Sequence, residues 1–210
     1  MWARVESDAV TEIYTRPKAL SIGDTNYPAN IFSMWTSAEL EAKGIYEVVI
    51  DNTNLKNKEY YINTNQTFAF KSSVTINSID YTNVVVASYG TATAQAIADT
   101  LFTAQDETDG LGTEGEVKTR GLKHNHKESI NAQAAGILQD TDWMAIRASE
   151  GGTAVPGATK TWRAAVRTKA NSMQAQIDGA ANVDALAALY VYNSETPPVR
   201  PLGEFPVLGA

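Results

Sequence analysis

Three observations predict an α+β chain. Short β-branched and aromatic runs separated by turn residues fill positions 1–90, apolar residues recur at three- and four-residue steps after position 116, and an acidic glycine-rich stretch without periodicity lies between them. The expected architecture is an N-terminal, mostly antiparallel β domain followed by a C-terminal α-helical hairpin or small bundle. The expected division is a β-rich docking domain at 1–90, an acidic Gly-rich linker at 91–115, a helical domain at 116–192 and a Pro-rich tail at 193–210.

In the first part, Trp2, Arg4 and Glu6 alternate with Met1, Ala3 and Val5. After Ser7-Asp8 the run Val10–Tyr14 continues the pattern, which predicts a hairpin. A second hairpin is expected from Ala19–Ile22 and Tyr27, with Gly23-Asp24-Thr25-Asn26 supplying the turn. Thr36-Ser37-Ala38-Glu39 fits a capping box, with a short helix through Leu40 ended by Gly44 in the left-handed conformation. Ile45–Ile50 reads as a strand. Further strands are expected at Tyr60–Ile62, Thr67–Phe70, Val74–Ile79 and Val84–Tyr89, where β-branched and aromatic residues favour pleated packing. Ala92–Phe102 carries enough alanine to form a helix.

In the second part, Val117, Leu122, Ile130, Ala134, Ile137 and Leu138 form a discontinuous apolar stripe on a helix from Glu116 to about Leu138, a seam that self-association could use. Gln139-Asp140-Thr141-Asp142 breaks it and starts another helix, which stops at Gly151-Gly152. Pro156-Gly157 precedes a helix over Ala158–Ile177, with Trp162, Ala165, Val166, Lys169, Met173 and Ile177 on one side. Asn182 caps a last short helix through Leu189. This reading puts Trp143 and Trp162 on apolar faces of adjacent helices, where they could meet, and Trp35 in the core of the β part. Residues 196–206 contain four prolines, which fix φ and remove donors, so this end needs a surface to lie on and points to an assembly.

Charge and composition narrow the chemistry. The chain carries 17 Lys+Arg against 24 Asp+Glu, a net charge of −7. Residues 1–115 hold 7 and 15 of these and residues 116–210 hold 10 and 9, so the excess acid lies in the first part. An acidic surface is a poor match for a nucleic-acid backbone. Lys118, Arg120, Lys123 and Lys127 form a local basic cluster that reads as a solvated helix side. The absence of cysteine excludes disulfides, thiolate zinc sites and cysteine nucleophiles. The longest apolar stretch, Ala185–Tyr192, is too short for a bilayer, and Met1–Arg4 reads as strand rather than leader. No membrane insertion is expected.

No residue pattern points to a reaction. His124 and His126 cannot chelate one metal from a helix, because positions two apart point in different directions, and they read as surface histidines. The acids from Asp106 to Glu116 fail the calcium-loop spacing, since Thr108 and Gly110 fall where oxygen ligands belong. Gly110-Leu-Gly112-Thr-Glu-Gly115 matches a dinucleotide fingerprint only in its glycines, in a stretch that would repel a pyrophosphate. Tyr60, Tyr61 and Tyr81 suit strand packing, with a glycan-stacking role as the alternative. No catalytic residue, metal or cofactor is expected.

The segment Asp142-Trp143-Met144-Ala145-Ile146-Arg147, then Val155-Pro156, then Thr161-Trp162-Arg163-Ala164-Ala165-Val166-Arg167, then Val183–Leu189, resembles a helical module of tailed-bacteriophage proteins. In that module a D-W-x-x-I-R helix, a proline loop and a (Y/W)-R-x-x-(V/L)-R helix recur near the C-terminus. Trp35–Leu40 with Gly44-Ile45-Tyr46, and the closing Arg200–Pro206, are similar to the same marine phage proteins. These are tail fibre and tail-fibre-assembly proteins. The resemblance implies a non-enzymatic structural protein of the virion tail region, made in the host cytoplasm and joined to other tail, fibre or collar proteins as a homo-oligomer. A fibre-assembly chaperone, a capsid decoration protein and a glycan-binding receptor module are the alternatives. Trp35, Trp143, Arg147, Trp162, Arg163 and Arg167 are the candidate interaction or core residues.

Overall fold

Two tight turns shape the β part. Ser7 (φ 51°) and Asp8 (φ 63°) join strand β1 (Trp2–Glu6) to β2 (Ala9–Tyr14), both central residues taking the positive φ that matches the twist of a two-residue hairpin. Asn77 (φ 51°) and Ser78 (φ 65°) do the same between β7 (Gln66–Ile76) and β8 (Ile79–Tyr89). The computed structural model describes residues 1–209 and divides into two compact units, the first running from Met1 to Thr93 and the second starting at Ala94.

The first unit is built on a five-stranded sheet in the order β2-β1-β5-β8-β7, where β5 is Ile45–Asp51. Three of the four pairings are antiparallel; β5 and β8 pair in parallel, Val48 opposite Val85. Alternation separates the faces. Ala3, Val5, Val48, Val85 and Ala87 cluster on one side with Phe68 and Phe70. Tyr14 and Ile45 bury on the other, with Leu20, Ile31, Phe32 and Leu40 from β3 (Leu20–Ile22), α1 (Ile31–Met34) and α2 (Ser37–Glu41). Strand β4 (Thr25–Tyr27) pairs with β3 around Gly23 and Asp24, and β6 (Tyr61–Ile62) is a two-residue strand. Trp35 packs edge-on against Tyr27 at 5.4 Å between ring centroids.

The capping box of α2 forms as the sequence predicts. The Thr36 hydroxyl accepts from the Glu39 amide, and the Glu39 carboxylate accepts from the Thr36 amide at 2.7 Å. Gly44 follows at φ 72°, where its carbonyl accepts from the Val5 amide at 2.8 Å. A Cβ there would stand 2.8 Å from the Val5 carbonyl oxygen, so only glycine fits.

One expectation for this part changes. Val74–Ile79 is not one strand, because Asn77-Ser78 turns the chain inside it. Tyr60 is buried and Tyr81 packs against Ile76, Val84 and Val86, in keeping with the strand-packing reading of these residues.

The chain enters the second unit within β9 (Thr93–Ala94). Ala92–Phe102 is extended rather than helical and ends in β10 (Thr100–Leu101). The Ala96 and Ile97 carbonyls accept from the Leu122 and Lys123 amides, so this segment supplies the first acceptors for α4 (Leu122–Gln139). Gly121 is buried where a Cβ would strike the Ala98 backbone. The acidic stretch also differs from a plain linker. Thr103 and Asp106 make a second capping box on α3 (Ala104–Thr108), and β11 (Val117–Thr119) pairs with β10, so Val117 lies on a strand and not on the helix stripe.

Helix α4 runs antiparallel to α6 (Gly157–Gly179), with α5 (Asp142–Ser149) at the turn and α7 (Val183–Ala188) after α6. The seam joins Leu122, His126, Ile130 and Ala134 to Thr159, Arg163, Val166, Ala170, Met173 and Ile177. The α4 stripe is therefore covered within the unit and is not free for a coiled coil. His126 is buried, against the expected surface position, and its Nδ1 lies 2.9 Å from the Tyr190 hydroxyl.

The Pro-rich end lies on the chain's own helices, which answers the expectation that an assembly partner covers it. Leu202 is fully buried, its amide donates to the Leu189 carbonyl, and Lys169 donates to the Leu202 carbonyl at 2.9 Å. Tyr192 donates to Glu204 at 2.6 Å, and Arg200 pairs with the same carboxylate at 2.7 Å. Burial alone would raise the Glu204 carboxyl, but these two partners hold it below the usual carboxylate range.

Candidate interaction site

Five of the six candidate residues fall around α5 and the first turns of α6. Trp35 alone lies elsewhere, in the core of the first unit.

Arg163 organises this end. Its guanidinium is buried on the α6 stripe, where it donates from Nη1 to the Leu138 carbonyl at 2.9 Å and to the Thr141 hydroxyl, and from Nη2 to Asp142 Oδ1 at 2.6 Å. The planar fork thus binds an end carbonyl of α4, the linking residue and the first residue of α5 at once. Thr141 precedes α5 but does not cap it by side chain; its hydroxyl donates back to Leu138 and accepts from Arg163.

Helix α5 has no buried residue. Trp143 is 52% exposed and Ile146 58%, three positions apart and so on neighbouring parts of one helix face. This corrects the expected burial of Trp143 on an apolar face. The Arg147 guanidinium lies 4.8 Å from the centre of the Trp143 ring, which holds the indole in one orientation. The Arg147 Nε is buried and meets no hydrogen-bond partner. Trp162 is turned toward the tail, its indole N–H donating to the Pro206 carbonyl at 2.9 Å.

On the other side of α5 a cleft of about 340 Å³ opens toward α6. Ala145, Ala148 and Val155 give it small apolar walls, and Lys160, Arg163 and Arg167 line it with positive charge. Arg163 is engaged by its own chain, whereas Lys160 and Arg167 make no ion pair among the described residues. No acid lines the cleft. Its potential therefore favours a carboxylate or another anion.

The other basic cluster behaves differently. Lys118 pairs with Asp106 at 2.6 Å and Arg120 with Asp99 at 2.7 Å, while Lys123 and Lys127 both reach Asp178 at 2.8 Å. The Lys118 ammonium, with the Thr103 amide and hydroxyl, holds the Asp106 carboxyl down to about 2.

No family model matches the chain, and neither a curated protein nor a solved structure matches it. The sequence placed Trp143, Arg147, Arg163 and Arg167 in adjoining helices, and the structure gathers them at one end of the second unit. It missed Thr141, Asp142 and Lys160. The available signal was an arginine recurring in step with Thr159, Val166 and Ala170, which marks a buried cation in need of acceptors.

Proposed function

We propose that this chain is a non-enzymatic structural protein of a tailed-bacteriophage virion, a tail-fibre or adaptor-type component that joins parts of the tail region. The observation that carries the reading is α5, a helix without a buried residue that displays Trp143 and Ile146 to solvent while a polar clamp fixes its position. Tryptophan in a preset orientation is the kind of anchor that dominates protein interfaces. The same helix lies within the segment that resembles the phage module. In this reading the helical unit binds one virion protein through α5, and the β unit docks on another.

Quantitative mass spectrometry of purified virions tests it: the chain is expected in fixed stoichiometry with a tail protein, and its absence from mature particles would reject a virion role. A Trp143→Ala/Ile146→Ala variant should keep its fold and lose capture of that tail protein. The exposed apolar helix also suits transient binding, so a fibre-assembly chaperone is the second reading. A fibre that folds solubly only when co-expressed with this chain would favour it.

A further inference from the structure

The acidic loop after α3 and the basic cleft beside α5 complement each other but cannot meet within one molecule. The loop, Asp109-Gly110-Leu111-Gly112-Thr113-Glu114, presents Leu111 at 62% exposure between two acids, and neither Asp109 nor Glu114 makes an ion pair among the described residues. Its backbone is tied down. The Leu111 amide donates to the Asp106 carbonyl at 2.9 Å, the Gly115 amide to the Phe102 carbonyl at 3.0 Å, and Lys118 clamps Asp106. Gly110 and Gly115 take φ of 71° and 83°, and Gly112 sits against the Phe102 ring where no Cβ fits. The loop is a fixed protrusion rather than a swinging arm.

Its place in the unit matters most. The loop leads through β11 into the first turn of α4, whereas the cleft lies beyond the last turn of α4. At 1.5 Å per residue the 18 residues of α4 separate the two by roughly 27 Å. A fixed loop at one end and a fixed cleft at the other can join only between molecules.

We propose that the Leu111 loop of one copy docks in the α5–α6 cleft of a second copy. Leu111 would lie against Ala145, Ala148 and Val155, with Asp109 and Glu114 facing Lys160 and Arg167. Arg163, engaged by its own helices, adds field rather than a contact. Donor and acceptor surfaces differ, so the interface is heterologous: it propagates head to tail and closes into a ring where the rotation allows. This inference concerns association of the chain with itself and stands apart from the tail-protein role assigned to Trp143.

Sedimentation equilibrium of the full chain with charge-swapped variants tests it. The wild-type chain is expected to self-associate with rising concentration, and added salt should weaken the association. A cleft variant, Lys160→Glu/Arg167→Glu, and a loop variant, Asp109→Lys/Glu114→Lys, should each sediment as monomers with unchanged circular dichroism. Mixing the two should restore association, because each swapped surface then meets its complement. Leu111→Ser should raise the dissociation constant about ten-fold. A wild-type chain that stays monomeric at millimolar concentration overturns the proposal. So does association that survives either charge swap, or a mixture that fails to associate.

Discussion

Replacing Arg163 by methionine isolates the clamp that sets the end of the helical unit. Methionine keeps an apolar stem on the stripe with Thr159 and Val166 but withdraws the donors from the Leu138 carbonyl, the Thr141 hydroxyl and Asp142. Asp142 is half exposed and can turn to water, so little of the cost comes from stranding its charge. The Leu138 carbonyl and the Thr141 side chain lie deeper; they keep their bond to each other, but each loses a bond to a charged donor, and such a bond contributes about 1.5–3 kcal/mol. Their sum, less the favourable burial of methionine, puts the loss at about 3 kcal/mol. For a unit of roughly 120 residues that lowers the midpoint of thermal unfolding by about 12 °C. The assay is far-UV circular dichroism at the helical minimum, which reports mainly the second unit. Arg163→Lys should recover about half the loss, since one ammonium cannot serve three acceptors spread by a planar fork. Asp142→Asn should cost less than about 1 kcal/mol. A methionine variant as stable as wild type would refute the view that this guanidinium holds α5 in place.

In the first unit, Thr36→Ala removes the capping hydroxyl of α2 and should cost about 1 kcal/mol by urea denaturation, with Thr36→Ser restoring most of it. Burial and the bond to Glu12 push the Tyr14 hydroxyl from its ordinary 10.0 up to about 12. The folded state then holds that proton more tightly, so stability present below pH 10 falls as the pH rises from 10 to 12. Tyr14→Phe should flatten this part of the stability profile. The Asp106 carboxyl is held down to about 2 from 3.8, so its contribution is present above 3.8 and lost as pH falls through about 2. Carboxyl chemical shifts should titrate near 2, and Lys118→Met should move the midpoint upward.

Much of the fold follows from local chemistry that a single sequence displays. Ser7-Asp8, the Thr36–Glu39 box, Gly44 and Asn182 each act within a few residues, so their consequences can be read without knowing what they pack against. The Asn77-Ser78 turn was hidden because β-branched and aromatic residues continue on both sides of it. Only the positive φ of two residues divides one apparent strand into a hairpin. Ala92–Phe102 fails for a tertiary reason. Its alanines favour helix, but its carbonyls are held extended as acceptors for the start of α4. His126 was misplaced by its polarity, although its position four after Leu122 and four before Ile130 puts it on the buried stripe.

The candidate site divides along the same line. Its composition was legible, because tryptophan and arginine recur in two adjoining helices. Its polarity was not, because the three- and four-residue spacing on α6 runs through Trp162, whereas Arg163 occupies the buried place. A shift of one position on a helix turns a side chain by about 100°, and here it exchanges a core arginine for a tail-binding tryptophan.

That exchange explains how α5 can remain apolar on its outer face. Short helices usually hold their place by burying an apolar stripe, which leaves only polar residues for solvent. Helix α5 is instead fixed by hydrogen bonds at its start and by its links to α4 and α6, with no residue buried. Its apolar side chains are therefore not committed to the core, and the cation stacked on Trp143 keeps the indole ordered while it is exposed. Holding the helix by polar contacts separates the residues that position it from those that can bind a partner. A change at Arg163 should therefore alter stability and partner capture together, whereas a change at Trp143 should alter capture alone. Equal loss of stability from the two would mean that the exposed face is structural.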